Sequence, residues 1–215
     1  MKSDLQRKRS KTNDNARARL PMRDRILCAA AELFHKQGIR GAGVEAIAEA
    51  AGTNKMTLYR YFDSKEELVA EWVRGMVSQK EEEWRDLRAK HPDDPQALLQ
   101  DWSRRTAAKL KALEDRGSAL VNAFAELTDP DHPARRVIQE HKVREHKRVV
   151  RLCKEAGFEN PTLAANLFSM LLEGAHSCVS CVGMGRFGED LVQLVDLMVE
   201  NARQQRRSAP YPTAL

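Results

Sequence analysis

The amino-acid sequence predicts an all-α fold. Apolar residues recur at helical spacing along most of the chain, proline and glycine separate these stretches, and no stretch shows the alternation typical of a strand. The 215 residues include 42% hydrophobic and 31% charged residues, which is typical of a globular protein with a sizeable core. No apolar run is long enough to span a membrane, and the N-terminus lacks the apolar segment of a secretory signal, so we expect a cytoplasmic protein.

The most informative segment is residues 43–68. Apolar side chains within residues 44–51 follow the i, i+3, i+4, i+7 spacing of one helix face, which predicts a first helix. Gly52 is placed to end that helix, and Asn54 is a suitable N-cap for a second helix over residues 55–61. The segment therefore predicts two short helices joined by a tight turn.

The second of these helices has an unusual surface. Its spacing predicts burial of Leu58 and Phe62. The other side chains are expected to be largely free, and they are Lys55, Met56, Thr57, Tyr59, Arg60 and Tyr61. A seven-residue helix with cationic, aromatic and hydroxyl groups offers little to a core. It suits the major groove of DNA, which admits one helix and presents base edges and thymine methyl groups.

A third helix is predicted to begin at Ser64. Residues 64–67 form a capping box of the type S-x-x-E, and an apolar run follows it. Lys65 lies in the first turn, where a cation is unfavourable for the helix dipole. Either Lys65 points at a phosphate, which a helix N-terminus also attracts, or it is a solvated surface lysine.

These features belong to a long composite motif over residues 22–70. Its positions are Ile26, Ala30, Leu33, Phe34, Gly38, Ile47, Ala48, Ala51, Gly52, Thr57, Leu58, Tyr59, Tyr61, Phe62, Ser64, Lys65, Glu66 and Leu68. With them the chain resembles the DNA-binding domain of the tetracycline-repressor-like (TetR) family of bacterial transcription regulators. One departure is that Ala42 and Gly43 stand where the family usually has Ser or Thr, so one phosphate contact is in question while the helix should still form.

The resemblance implies an N-terminal three-helix helix-turn-helix domain followed by a larger helical ligand-sensing and dimerisation domain. The corresponding ranges are 1–20 for a basic arm, 21–66, 67–206, and 207–215 for a flexible tail. The implied function is that of a dimeric repressor, which a small-molecule effector releases from a palindromic double-stranded DNA operator without a cofactor. Lys55, Met56 and Arg60 would face base edges. Thr57, Tyr59, Tyr61 and Lys65 would hold the helix on the DNA backbone, with Tyr59 also able to touch a thymine methyl group.

The charge of the chain is consistent with a polyanionic partner. The net charge is +5, and the charge is unevenly placed along the chain, with an excess of cations in residues 1–20. That stretch contains Lys2, Arg7, Lys8, Arg9, Lys11, Arg17 and Arg19 against two aspartates. Because it has few apolar residues, we expect a disordered arm that rests on DNA, or a tail that only improves solubility.

The last two helices carry long apolar stripes. In the TetR-like family these helices pair with their mates across a two-fold axis, whereas the alternative is that the stripes serve only the core of one chain. A ligand pocket is expected in the sensing domain, although each candidate could equally be core. The candidates are Trp72, Met76, Trp102, Phe124, His141, Phe168, Leu172 and His176.

We expect no catalytic activity, because phosphate-binding loops, H-E-x-x-H and G-x-S-x-G are absent from the sequence. Cys28 is expected to be buried. Cys178 and Cys181 form a C-x-x-C pair, with packing, a redox sensor and a small all-α thiol-based redox enzyme as the alternatives. Glu126, His141 and His176 could form a metal or anion site if their helices converge, or be hydrogen-bonded core residues. No metal is assigned.

Overall fold

The computed structural model describes residues 19–112, 118–182 and 186–208. These residues form nine helices and no strand, which confirms the all-α prediction. The helices are α1 Met22–Gly41, α2 Val44–Ala50, α3 Lys55–Tyr61, α4 Lys65–Lys90, α5 Pro95–Ala112, α6 Ala119–Glu126, α7 Pro133–Ala156, α8 Pro161–Val182 and α9 Phe187–Ser208. In the part that the structure describes, no helix is long and apolar enough to cross a membrane.

Two predicted segments lie mostly outside the described residues. They are the basic arm at 1–20 and the tail at 207–215.

Polar side chains cap four of the helices, among them α3 and α4 as the sequence predicts. Each of four cap residues accepts a hydrogen bond from a backbone N–H in the first turn of its helix. These bonds join Asn54 to Thr57 at 2.9 Å, Ser64 to Glu67 at 3.1 Å, Asp94 to Ala97 at 2.9 Å and Asn160 to Leu163 at 3.0 Å. Gly52 and Gly157, with φ of 67° and 85°, end α2 and α7 in the left-handed region that favours glycine.

The described residues divide into two compact units. The first contains the residues up to Met76 together with Ala123–Val137, so it draws on two separate stretches of the chain. Its core includes Ile26, Ile47 and Leu58, none of which is accessible to solvent. These side chains hold α1, α2 and α3 together.

The second unit contains Val77–Asn122 and the residues from Ile138 onward. Its core is an apolar cluster from α4, α5, α7, α8 and α9. Trp102 lies at the centre of an aromatic group, with its ring centroid 5.2 Å from that of Trp84 and 5.0 Å from that of Phe168. Polar contacts such as the 2.7 Å bond from Gln100 to Asp196 join α5 to α9 at the edge of this cluster.

Candidate nucleic-acid interface

The turn between α2 and α3 is fixed from both sides. The N–H of Gly52 bonds to the carbonyl of Glu49 at 2.9 Å, and the guanidinium of Arg25 donates to the carbonyl of Ala51 at 2.6 Å. A Cβ atom at position 52 would lie 2.5 Å from Nη2 of Arg25. Glycine is therefore favoured at position 52 by its positive φ, and a larger residue would also have to displace the Arg25 guanidinium.

Helix α3 divides its side chains as the sequence predicts, with the exception of Thr57. Leu58 is fully buried and Phe62, directly after the helix, is buried. Met56 is 85% exposed, and Lys55, Tyr59, Arg60 and Tyr61 are also exposed. Thr57 is half-buried rather than largely free, and Lys65 is half-buried at the start of α4. Most of the predicted DNA-binding residues thus lie on the exposed face of α3, and Lys65 follows at the start of α4.

Two contacts orient the cations of α3. Nζ of Lys55 lies 2.6 Å from Oε1 of Glu45 in the first turn of α2. The guanidinium of Arg60 lies 5.6 Å from the ring centroid of Tyr61. Sequence reasoning missed Glu45, because the ten-residue separation from Lys55 spans a turn and has no helical spacing.

Glu126 holds the last turn of α1. Its carboxylate accepts hydrogen bonds from the backbone N–H of Ile39 at 2.6 Å and of Arg40 at 3.4 Å. These N–H groups become available because Gly38, with φ of 76°, breaks the helical conformation. A Cβ atom at position 38 would lie 2.8 Å from Oε2 of Glu126. Glu126 therefore has a structural role, since it holds the end of α1, and the sequence did not suggest this role.

A polar cluster lies in the second unit around His141, which is only 2% exposed. Its Nδ1 is 3.3 Å from Oε1 of Glu81, and its Nε2 is 3.9 Å from Oε1 of Glu145. Both ring nitrogens and Oε1 of Glu81 are buried without a hydrogen-bond partner. The other oxygen of Glu81 accepts from Arg148 at 2.5 Å. In the described residues no group of three or more His, Cys, Asp and Glu side chains could hold a metal ion.

The buried histidine should make stability fall in mild acid. Burial lowers the pKa of His141, while Glu145 and Glu81 act in the opposite direction. As the pH falls below about 6.5, the unfolded chain takes up a proton on this histidine before the folded chain does. The contribution of His141 to stability is therefore fully present above that pH and is lost as the pH falls through the folded pKa. His141→Gln should reduce the slope of unfolding free energy against pH between 7 and 5, by at most about 1.4 kcal/mol per pH unit. An unchanged slope in urea unfolding would show that His141 does not titrate this way.

The predicted pocket residues fall into both units. Trp102 and Phe168 are in contact within the second unit, and His141, Leu172 and His176 belong to the same unit. Trp72 instead packs on Phe34 in the first unit, with ring centroids 5.0 Å apart. The described residues also form a cavity of about 350 Å³ that contains none of the predicted residues. It is lined by Arg104, Ala107, Ala108, Lys111, Gly188, Glu189 and Val192.

The four cysteines differ in their burial. Cys28 is half-buried, so the prediction that it is buried is only partly right. Cys153 is buried, and burial raises the pKa of its thiol to about 12. Cys178 is half-buried and Cys181 is exposed, because position 181 falls on the outer face of α8. Within one chain Cys181 is therefore not a packing residue.

The geometry of the first unit defines a helix-turn-helix protein, in which a short second helix presents cationic and aromatic side chains. Residues 26–72 match the sequence model of the bacterial regulatory proteins of the tetR family. The N-terminal domain of this chain therefore belongs to the tetR family, and the resemblance found in the sequence is confirmed.

Known relatives match parts of the chain. The transcriptional repressor KstR2 of Rhodococcus jostii is 35% identical over 85 residues, or 40% of this chain and 42% of that relative. The transcriptional activator FasR of Mycolicibacterium smegmatis is 45% identical over 53 residues, or 23% of this chain and 24% of that relative. This chain therefore matches less than half the length of either relative. The crystal structure of SCO4454, a TetR-family regulator of Streptomyces coelicolor, has the same fold, with a TM-score of 0.78, 24% identity and coverage of 84% of this chain and 95% of that chain.

Proposed function

We propose that this protein is a dimeric, ligand-responsive transcription regulator that represses by binding a palindromic DNA operator. The observation that carries the proposal is α3, a short helix held by Leu58 and Phe62 with its cationic and aromatic side chains exposed. Repression is favoured over activation because the alignment with KstR2 covers more of both chains than the alignment with FasR.

Selection from random duplexes tests this proposal. The purified full-length chain should enrich an inverted repeat whose half-sites lie about one helical turn of DNA, or a multiple of it, apart. Binding should weaken steeply with salt. If repeated selection enriches no inverted repeat, the proposed function is wrong.

A continuous exposed face of α8 supports dimerisation. Exposed residues recur there at alternating steps of four and three, which is the spacing of a helix–helix seam. They are Leu163, Leu167, Met170, Gly174, Ser177 and Cys181. Leu194 and Leu197 are exposed on α9, so both of the last two helices present apolar side chains to solvent within one chain.

Met170→Glu should disrupt the dimer. Met170 is 68% exposed within one chain, so the change should leave the fold intact while it places a charge in the middle of the proposed seam. Sedimentation should give about twice the chain mass of 24.4 kDa for the unaltered protein and the single-chain mass for the variant. Val143→Glu is the matched control, because Val143 is an exposed apolar residue on α7. If Met170→Glu remains dimeric, α8 is not the interface.

The effector is proposed to bind in the second unit. The aromatic contact of Trp102 with Phe168 and the buried, unpartnered nitrogens of His141 provide an apolar wall and polar groups that a ligand could satisfy. Binding there would favour one spacing of the two α3 helices in the dimer over another. Loss of the half-site register would then release the operator.

The basic residues that precede α1 are proposed to add non-specific affinity. Deletion of residues 1–19 should weaken binding to all duplexes by a similar factor, because phosphate contacts carry no sequence information. The slope of log affinity against log salt should also become flatter, by about 0.9 for each phosphate that the deleted residues would otherwise neutralise. An unchanged slope would show that the arm does not contact DNA.

A further inference from the structure

The ion pair of Glu45 with Lys55 is not explained by the stability of the fold. Its atoms approach to 2.6 Å, yet the Glu45 side chain is 70% exposed and that of Lys55 is 53% exposed. Ion pairs in so open a position contribute little to stability. The hydrogen bond from Lys55 lowers the pKa of Glu45, and the same bond raises the pKa of Lys55, so both groups are charged at neutral pH.

The position of Glu45 is also unexpected for a DNA-binding surface. The carboxylate belongs to the first turn of α2 and reaches the first residue of α3. In helix-turn-helix proteins the helix before the recognition helix crosses the DNA backbone. A negative charge there repels phosphate and lowers the affinity for every duplex, so its presence beside Lys55 calls for a compensating role.

The donor count of Lys55 suggests that role. An ammonium group has three N–H donors, and Glu45 accepts one of them. Two donors remain, and the major-groove edge of guanine presents two acceptors, O6 and N7. A free lysine is a flexible point charge that can bind any phosphate, whereas a lysine tethered to a carboxylate is restricted in position.

We propose that Glu45 is a specificity-determining residue, which positions the Lys55 ammonium for a guanine edge and disfavours its capture by phosphate. The proposal rests on the proposed function, since it needs DNA as the partner. Glu45 acts through Lys55 and does not itself contact a base.

The test uses the full-length chain and the operator that selection with the unaltered protein defines. Four variants are compared: Glu45→Gln, Glu49→Gln, Lys55→Ala and the double variant Glu45→Gln/Lys55→Ala. Glu49 is the matched control, because it is an exposed glutamate one turn further along α2 and is not the partner of Lys55. Affinity is measured for the operator, for a scrambled duplex, and for operators in which each G·C pair is replaced by A·T.

Glu45→Gln should strengthen binding to the scrambled duplex by about threefold or more. It should also reduce discrimination by about fivefold at the base pair whose recognition Lys55→Ala abolishes. In the Lys55→Ala background the same change should leave discrimination at that pair unaltered. Glu49→Gln should strengthen binding to all duplexes by a similar factor and change no base preference.

The proposal is overturned if Glu45→Gln, like Glu49→Gln, changes no base preference. It is also overturned if Glu45→Gln alters base preference as much in the Lys55→Ala background as in the unaltered chain. Urea unfolding of Glu45→Gln should superimpose on that of the unaltered chain, which separates a binding effect from a folding effect. Failure of the unaltered protein to enrich any sequence would overturn the proposed function as well. A selected operator with no role for Glu45 would overturn this inference alone.

Discussion

Leu58→Ala should lower the free energy of unfolding by about 2–5 kcal/mol and abolish operator binding. Leu58 is fully buried, and α3 is only seven residues long. A helix this short is not stable by itself in water, so its position depends on the side chains that it buries. Removing the central one leaves a cavity beneath the helix that would contact DNA.

Urea unfolding and DNA-binding anisotropy measure the two effects of this change. Met56→Ala is the matched control for stability, because Met56 lies on the same helix and is 85% exposed. That control should change stability by less than about 0.5 kcal/mol. Equal stability of the Leu58→Ala and Met56→Ala proteins would show that α3 is not held by its buried face.

Arg60→Ala should relax the preference at particular base pairs by about 1–3 kcal/mol. Arg60 is exposed on α3, and its guanidinium can donate to O6 and N7 of guanine. Tyr61→Phe removes only a hydroxyl group that we propose contacts the DNA backbone, so it should weaken all sites by a similar factor. Arg60→Ala should therefore have a base-specific effect and Tyr61→Phe a uniform one, although the two side chains are in contact.

A specificity profile against a mutated operator set separates these patterns. Lys55→Ala should resemble Arg60→Ala, with the preference relaxed at a different base pair. If Arg60→Ala lowers affinity uniformly and Tyr61→Phe changes base preference, the assignment of reading and positioning residues is wrong, even though the family assignment stands.

The sequence predicts the helices of the interface well because local chemistry determines their ends. Asn54 caps α3 and Ser64 caps α4, and Gly52 adopts the positive φ that the turn requires. The apolar spacing also identifies Leu58 and Phe62 as the buried residues of this region. Caps, glycines and apolar periodicity act over a few residues, so one sequence suffices to read them.

Contacts between distant residues could not be predicted in the same way. Glu126 bonds to Ile39 and Arg40 across more than 80 positions of sequence, and no local pattern specifies that contact. The pairing of Glu45 with Lys55 depends on the angle between two helices. For the same reason no local pattern indicates that Ala123–Val137 joins the first unit.

The ligand pocket was the least predictable feature. A large apolar residue on a helix can line a pocket or fill a core, and its spacing is the same in both cases. Trp72 illustrates this, since it packs on Phe34 in the first unit, whereas Trp102 lies in the aromatic group of the second unit. Only packing in three dimensions distinguishes such residues.

Photo-crosslinking from α3 tests most directly whether this helix reads DNA. A benzoylphenylalanine in place of the exposed Met56 should crosslink to bases of the selected operator. The same group in place of Val143, which is exposed on α7, should give no crosslink. A base crosslink at position 56 alone would establish α3 as the reading helix. Crosslinking from position 143, or none from position 56 on a duplex that the protein binds, would contradict it.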